Sequence, residues 1–345
     1  MRIDAPSWSV VATVDEPLVL VQAFVAWHLS LGATEVILYF DRPDDPAAAV
    51  LEMVSQVRVI RRDTDHWAAH LGGRPAKHQV RQVHNATHAY LDCEADWLVH
   101  CDADEYLWPH VPIAAALAAV DPLADAAIVP VAERVYLPYT AGGSIFNGAF
   151  RRPFVGSAAA GAALFGKGYA MTHRGLTGHA QGKAFSRTGR GLKLSIHRPR
   201  PHDALRTEKL SGVELLHFDG LTRGQWIFKL LRKADHFAHR GGMEPSPHRQ
   251  RQIDAIRADP DAAAALHDQL KSVSGARLAA LRANGLLLEV DLDPGKAIAG
   301  YFGTVDVSPA AFDDALLRGP AAAYPFCTMP CARKKGAATG DPFIR

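Results

Sequence analysis

The feature that most limits this chain is an alternation in its first hundred residues, where short apolar runs of strand length are separated by helical patterns. Residues 8–14 form an apolar run that stops at Asp15-Glu16-Pro17. Residues 18–31 are apolar nearly all round (Leu18, Val21, Phe24, Val25, Leu29), and Gly32 stands where a helix end favours a left-handed residue. Residues 35–40 repeat the strand pattern and end at Asp41. A short helix over 46–55, a strand over 57–60, a helix over 77–91 and a buried strand from Trp97 to Val99 follow, and 125–137 gives one more strand region. Strands alternating with helices in this way predict an α/β, Rossmann-type fold with a mostly parallel sheet flanked by helices.

The strand at Trp97 runs straight into Asp102-Ala103-Asp104-Glu105, three carboxylates within four positions, followed by Tyr106-Leu107-Trp108. Open α/β sheets bind ligands beyond the carboxyl ends of their strands, and the acids fall there. An extended backbone would put Asp102 and Asp104 on one face and Glu105 on the other. Like charges this close call for a cation between them, and a divalent metal is the usual answer. Asp15-Glu16 and Asp41 end two further strands, and a strand over 213–218 carries His217 near its end. A carboxylate set joined by an imidazole favours Mn2+ over Mg2+.

Composition narrows the alternatives. A hydrophobic content of 48% in 345 residues can build a sizeable core, and a formal net charge of +2 lacks the basic excess of a nucleic-acid binder. No basic region followed by an apolar stretch opens the chain, and no apolar run approaches the ~20 residues of a membrane helix, so a cytoplasmic protein is expected. Four cysteines do not make a disulfide framework; Cys93 and Cys101 read as small core residues, and Cys327 and Cys331 lack the second pair a zinc site needs.

Residues 140–200 change texture, with frequent glycine and little periodicity, and short strands are expected over 184–187 and 193–197. A helix rich in Lys, Arg and His spans 225–239, two or three Ala-rich helices fill 247–284, and 334–345 reads as a frayed tail. Gly161 to Gly168 approaches a phosphate-loop spacing but lacks the hydroxyl residue that holds magnesium. His84 and His88 lack the intervening glutamate of a zinc protease, and neither a serine-nucleophile elbow nor a dinucleotide-binding glycine turn is present.

Together these features make the chain resemble family-2-type glycosyltransferases of GT-A fold, in the branch whose metal motif is D-x-D-E-F/Y. The resemblance rests on Asp15-Glu16, the Trp27-His28-x-x-Leu31-Gly32 helix end, Asp102-Ala103-Asp104-Glu105-Tyr106, Gly182-Lys183, and His217-Phe218 with Lys229 and Arg232-Lys233. It covers about residues 8–240. It implies one transferase domain over 1–240 (nucleotide half 1–110, acceptor half 111–240); beyond its reach the residue pattern gives a helical extension over 241–330 and a flexible tail from 331.

The resemblance also implies roles. Asp102 and Asp104 would hold Mn2+ (or Mg2+) on the diphosphate of a nucleotide-sugar donor, with His217 as a further ligand. Asp15, Glu16 and Asp41 would line the nucleotide pocket, and Lys77 and Lys183 would meet phosphate charge. The Gly-rich region would close over a saccharide or glycolipid acceptor, and the helical extension could contact a membrane surface. Inverting transfer needs a base for the acceptor hydroxyl, with Glu105 and Glu133 as candidates. Where the family carries Asn after its second strand this chain has Asp41, which leaves the base preference open. Two other readings remain: a sugar nucleotidyltransferase, and a non-catalytic nucleotide- or sugar-binding protein on the same scaffold.

Overall fold

A computed structural model of the chain describes residues 5–140, 142–238 and 245–319, with the side chains of 235–238 left aside. In chain order the strands are β1 (Trp8–Val14), β2 (Val36–Phe40), β3 (Val57–Arg61), β4 (Trp97–His100), β5 (Glu105–Pro109), β6 (Ala126–Val129), β7 (Val131–Val135), β8 (Ala149–Arg151), β9 (Lys183–Arg187), β10 (Thr207–Lys209), β11 (Val213–His217) and β12 (Leu287–Leu288). The helices are α1 (Leu18–Ser30), α2 (Ala47–Leu51), α3 (Thr64–Leu71), α4 (His78–Leu91), α5 (Ile113–Ala118), α6 (Ala158–Phe165), α7 (Arg223–Ala238), α8 (Pro247–Ala258), α9 (Ala263–Lys271), α10 (Gly275–Ala283), α11 (Pro294–Phe302) and α12 (Pro309–Arg318). His239, Cys327, Cys331 and the tail expected from 331 onward lie outside the described residues.

Two sheets carry the fold. The larger has the order β10-β6-β9-β4-β1-β2-β3, and its β4-β1-β2-β3 half is parallel throughout. Trp8 pairs with Trp97 and Val10 with both Val36 and Val99, so the three apolar runs of the sequence lie side by side. Strand β9 then runs antiparallel between β4 and β6. The smaller sheet, β12-β8-β7-β11-β5, packs beside it through a shared core.

Helix α1 is apolar nearly all round because it is covered on both sides, by the parallel strands and by α11. Phe24 is fully buried, and a side chain of that size withdrawn from water contributes roughly 1.5–3 kcal/mol. His28 is also fully buried; it bonds the Phe24 carbonyl through Nδ1 at 2.8 Å, and burial lowers its pKa to about 4, so it serves as a core histidine. Trp27 donates from Nε1 to the Leu107 carbonyl at 2.8 Å and stacks on Trp108. These contacts tie α1 to β5 and fix where the acidic turn before β5 sits.

Three expectations need correction. The strand region over 125–137 is two strands in two sheets, because Pro130 has no N–H for a continuous ladder and breaks it. Residues 193–197 are irregular, with one isolated bridge from Leu194 to Pro199. The backbone after β4 is not extended either: the Glu105 N–H donates to the Asp102 carbonyl at 3.0 Å, so 102–105 is a tight turn and period-two alternation does not apply.

Candidate active site

Because β1, β2 and β4 are parallel, Asp15-Glu16, Asp41 and the 102–105 turn emerge from the same edge of the sheet. Asp15, Glu16, Asp41 and the turn's Asp102, Ala103 and Asp104 line a cavity of about 440 Å3 together with residues from α4, α7, α8 and the end of β11. The lining alternates acids with Arg42, Arg74, Arg81, Lys229, Arg232, Lys233 and Arg249. Seven cations around one cavity make a wall suited to a polyanion.

The acidic turn is held from beneath. Lys183 is fully buried, and its ammonium lies 3.1 Å from Asp102 Oδ2, 3.2 Å from Glu105 Oε2 and 3.1 Å from the Ile196 carbonyl. Burial disfavours the Lys183 charge, but the two carboxylates outweigh it and raise its pKa. Burial likewise acts against the Glu105 carboxylate, and Lys183 holds it down to about 2. Asp102 also accepts from Gln82 Nε2 at 2.7 Å and sits well below the usual carboxylate range, burial being overcome chiefly by Lys183.

Gly182 explains how Lys183 reaches this place. Its φ is +68°, and a Cβ there would lie 2.0 Å from the Val129 carbonyl oxygen, so only glycine lets β9 turn in beside β6. The structure therefore puts Lys183 under the turn as a buried counterion rather than on the cavity surface. Lys77 also lies off the cavity, at the N-terminal boundary of α4. The cations that this part of the chain brings to the lining are Arg74 and Arg81.

Asp104 faces the opposite wall. Its Oδ2 is 2.5 Å from the Lys229 ammonium and 3.8 Å from His217 Nε2. Lys229, Arg232 and Lys233 occupy one face of α7, at the spacing that brings helical neighbours together. Arg232 and Arg42 both pair with Asp15, at 3.2 and 2.7 Å. Burial raises the pKa of Glu16 against the pull of Arg232 and Lys229, and burial lowers Lys233 to about 8. Asp41 takes a two-pronged contact from Arg81 at 2.6 and 2.5 Å. Burial opposes its charge, yet the bonds from His78 and Arg81 leave its carboxyl well below the usual range.

Glu133 lies behind the lining, fully buried on β7. Oε1 accepts from the Thr177 N–H and hydroxyl at 2.7 Å each, and Oε2 accepts from the Gly178 N–H at 2.5 Å. Lys271 stands 3.8 Å away and Arg151 3.9 Å away. The same Thr177 hydroxyl lies 2.6 Å from Asp219 Oδ2, so its one proton is shared between the two carboxylates; Asp219 sits at φ +45° and pairs with Arg249. A Cβ on Gly178 would come within 2.9 Å of both Glu133 Oε2 and His217 Cε1, so the 176–179 segment passes closely between them. Both proposed bases are thus occupied: Glu105 is neutralised by Lys183, and Glu133 clamps this segment. Neither lines the cavity.

The same segment delivers His179. Among the described residues, Glu105, His179 and His217 form one group able to hold a metal ion, each offering a donor atom within 4.8 Å of the others. Glu105 Oε1, both ring nitrogens of His179 and Nδ1 of His217 are buried without a hydrogen-bond partner. Buried polar atoms without partners are costly, and an ion held by one donor from each residue would satisfy part of them. Burial lowers the pKa of His217, which favours the neutral imidazole that binds metals. Sequence reasoning missed His179, Asp219, Arg74, Arg81 and Arg249; Arg249 comes from α8, beyond the stretch that carried the resemblance. None belongs to a motif, and only tertiary folding gathers them.

No family model matches the chain, and no curated protein matches it. Among solved structures it is similar to TarS 1–349 of S. aureus, at 12% identity and a TM-score of 0.34 over 90% of this chain and 83% of that one. It is similar to HddC of Yersinia pseudotuberculosis at 12% identity and a TM-score of 0.28, over 61% and 76% of the two chains. A CMP:2-keto-3-deoxy-manno-octonic acid synthetase complexed with CTP gives 13% identity and a TM-score of 0.29, over 90% and 98%. These likenesses are distant and carry no assignment. What stands is an α/β chain with a mostly parallel sheet flanked by helices, and a charged cavity at the carboxyl ends of its strands.

Proposed function

We propose that the chain is a metal-dependent glycosyltransferase that moves a sugar from a nucleotide-diphosphate donor to the hydroxyl of a saccharide or related acceptor. One observation carries the reading: the cavity sets the acidic turn 102–105 against the cation face Lys229, Arg232 and Lys233, joined by Arg249. A diphosphate needs that kind of wall. In the transfer, an acceptor oxygen forms a bond to the sugar's anomeric carbon as the bond from that carbon to the phosphate oxygen breaks. The hydroxyl proton leaves to a base, and the nucleoside diphosphate departs with the bonding pair. Lys229, Arg232 and Arg249 would stabilise the charge gathering on the departing diphosphate. A divalent ion bound at the acidic end would share that neutralisation. Asp41, held rigid by Arg81, and Asp15 would face the nucleoside. The nucleotidyltransferase reading is weaker, because the segment after β1 is Asp15-Glu16-Pro17, where a triphosphate would want a glycine-rich basic loop.

Thermal unfolding with a panel of nucleoside diphosphates, with and without Mn2+, tests the proposal. A ligand that binds only the native state stabilises it by about 2.7 kcal/mol at a hundred times its Kd, so one diphosphate should raise the melting temperature. Arg232→Gln should weaken that shift, since it removes one phosphate-facing charge. Slow release of free sugar from the matching donor would separate an enzyme from a binding protein. No shift with any diphosphate would sink the transferase reading.

A further inference from the structure

The two aspartates of the D-x-D-E sequence are already committed in this structure. Asp104 Oδ2 holds the Lys229 ammonium at 2.5 Å, and Asp102 is shared by Gln82 and Lys183. A metal seated between them would have to displace a lysine at each. The third acid is different. Glu105 gives Oε2 to Lys183 and leaves Oε1 unbonded, 3.3 Å from His179 Nε2 without hydrogen-bond geometry. The His217 ring stacks against His179 with ring centres 5.0 Å apart, and its Nδ1 is also orphaned. Donors bound to one ion at ~2.1 Å stand about 3 to 3.5 Å apart, so the Glu105–His179 separation fits a shared ion.

We infer that the protein's own metal ligands are Glu105, His179 and His217, and that the ion binds there before any nucleotide does. Two imidazoles and one carboxylate suit Mn2+, Fe2+, Co2+ or Zn2+; Mg2+ keeps to oxygen ligands and is excluded in practice. His179 and His217 line the cavity, so an ion on them presents its open positions to the same space the diphosphate would fill. His179 rides on the 176–179 segment clamped by Glu133, so Glu133 acts as a positioning residue for the ion. The inference refines the proposed function, yet ion binding itself requires no donor.

The test uses the full chain, freed of metal with a chelator and without nucleotide. Mn2+ is titrated while free Mn2+ is followed by electron paramagnetic resonance. One equivalent should bind. His179→Ala, at a partly exposed position that should leave folding intact, weakens binding about tenfold or more, and so does His217→Ala. Asp104→Asn changes it less than about twofold, and excess Mg2+ does not displace the Mn2+. Absence of a site in nucleotide-free protein, or equal losses from Asp104→Asn and His179→Ala, overturns the inference. Tight Mn2+ binding with no diphosphate effect would uphold it while sinking the transferase reading. Nucleotide-dependent stabilisation without a nucleotide-free Mn2+ site would do the reverse.

Discussion

Lys183→Met should cost the fold about 3–5 kcal/mol near neutral pH, the loss expected when one partner of a buried ion pair is removed and the other stays charged. The ammonium is fully buried between Asp102 and Glu105, and no solvent reaches Glu105 to replace it. Methionine fills most of the volume, so the effect is electrostatic rather than a cavity. The pH dependence separates the two. In the native chain the Glu105 pKa is held down to about 2. A depressed carboxylate contributes stability above its unfolded pKa of about 4.3, and that contribution is lost as pH falls through the folded value. Without Lys183, burial and the neighbouring Asp102 push the Glu105 pKa up instead. The variant is then relieved, not harmed, as acid protonates that carboxyl, so the gap between the two proteins should narrow as pH falls from about 7 to about 4. Urea unfolding midpoints at pH 7 and pH 4 measure both. A loss under about 1 kcal/mol at pH 7, or a gap that does not narrow in acid, would show that Lys183 is not the counterion of the turn.

How much of this could be read from residues alone depends on how local the signal was. The strands β1, β2 and β4 announce themselves because each is buried on both faces and is apolar at every position but Ser9, Thr13 and His100. Their carboxyl-end acids follow directly, and Asp15, Asp41, Asp102 and Asp104 do meet in one cavity. The turn at 102–105 was not legible, because an Asp-Ala-Asp-Glu stretch continues a strand as readily as it reverses one. Pro130 was a legible break that a purely apolar count overrides. Lys183 reads as a charge near the ligand, whereas its burial depends on Gly182, where a Cβ would lie 2.0 Å from the Val129 carbonyl oxygen. His179 stands 74 positions from Glu105 in a region without periodicity, so nothing local ties the two together. Glu133 and Lys271 are a similar case: the acid was visible as an acid, but its partners come from the 176–179 segment and from α9.

Those partners make Glu133 the second sensitive position. Glu133→Ala should cost about 3–5 kcal/mol, because it strands the Lys271 charge and leaves the Thr177 and Gly178 donors without an acceptor in a dry site. Asp219 softens this slightly, since its Oδ2, 2.6 Å from the Thr177 hydroxyl, can take that proton alone, and it lies 3.9 Å from Lys271. The informative variant is Glu133→Gln. Its amide oxygen can keep the two Thr177 bonds, but its NH2 then faces the Gly178 N–H, donor against donor. That mismatch costs about 1–3 kcal/mol and loosens the segment that carries His179. Two outcomes are then opposed. If Glu133 is a clamp, Glu133→Gln lowers the unfolding midpoint and weakens Mn2+ binding, although Glu133 is not itself a metal ligand. If Glu133 takes the acceptor's proton, Glu133→Gln leaves stability and Mn2+ binding intact and abolishes transfer alone. The geometry favours the first: an ionised carboxylate with three short donors on its two oxygens, no solvent exposure and a depressed pKa has no lone pair aimed at a substrate. Its hold on Thr177 and Gly178 is what aligns the imidazole of His179 with Glu105 and His217.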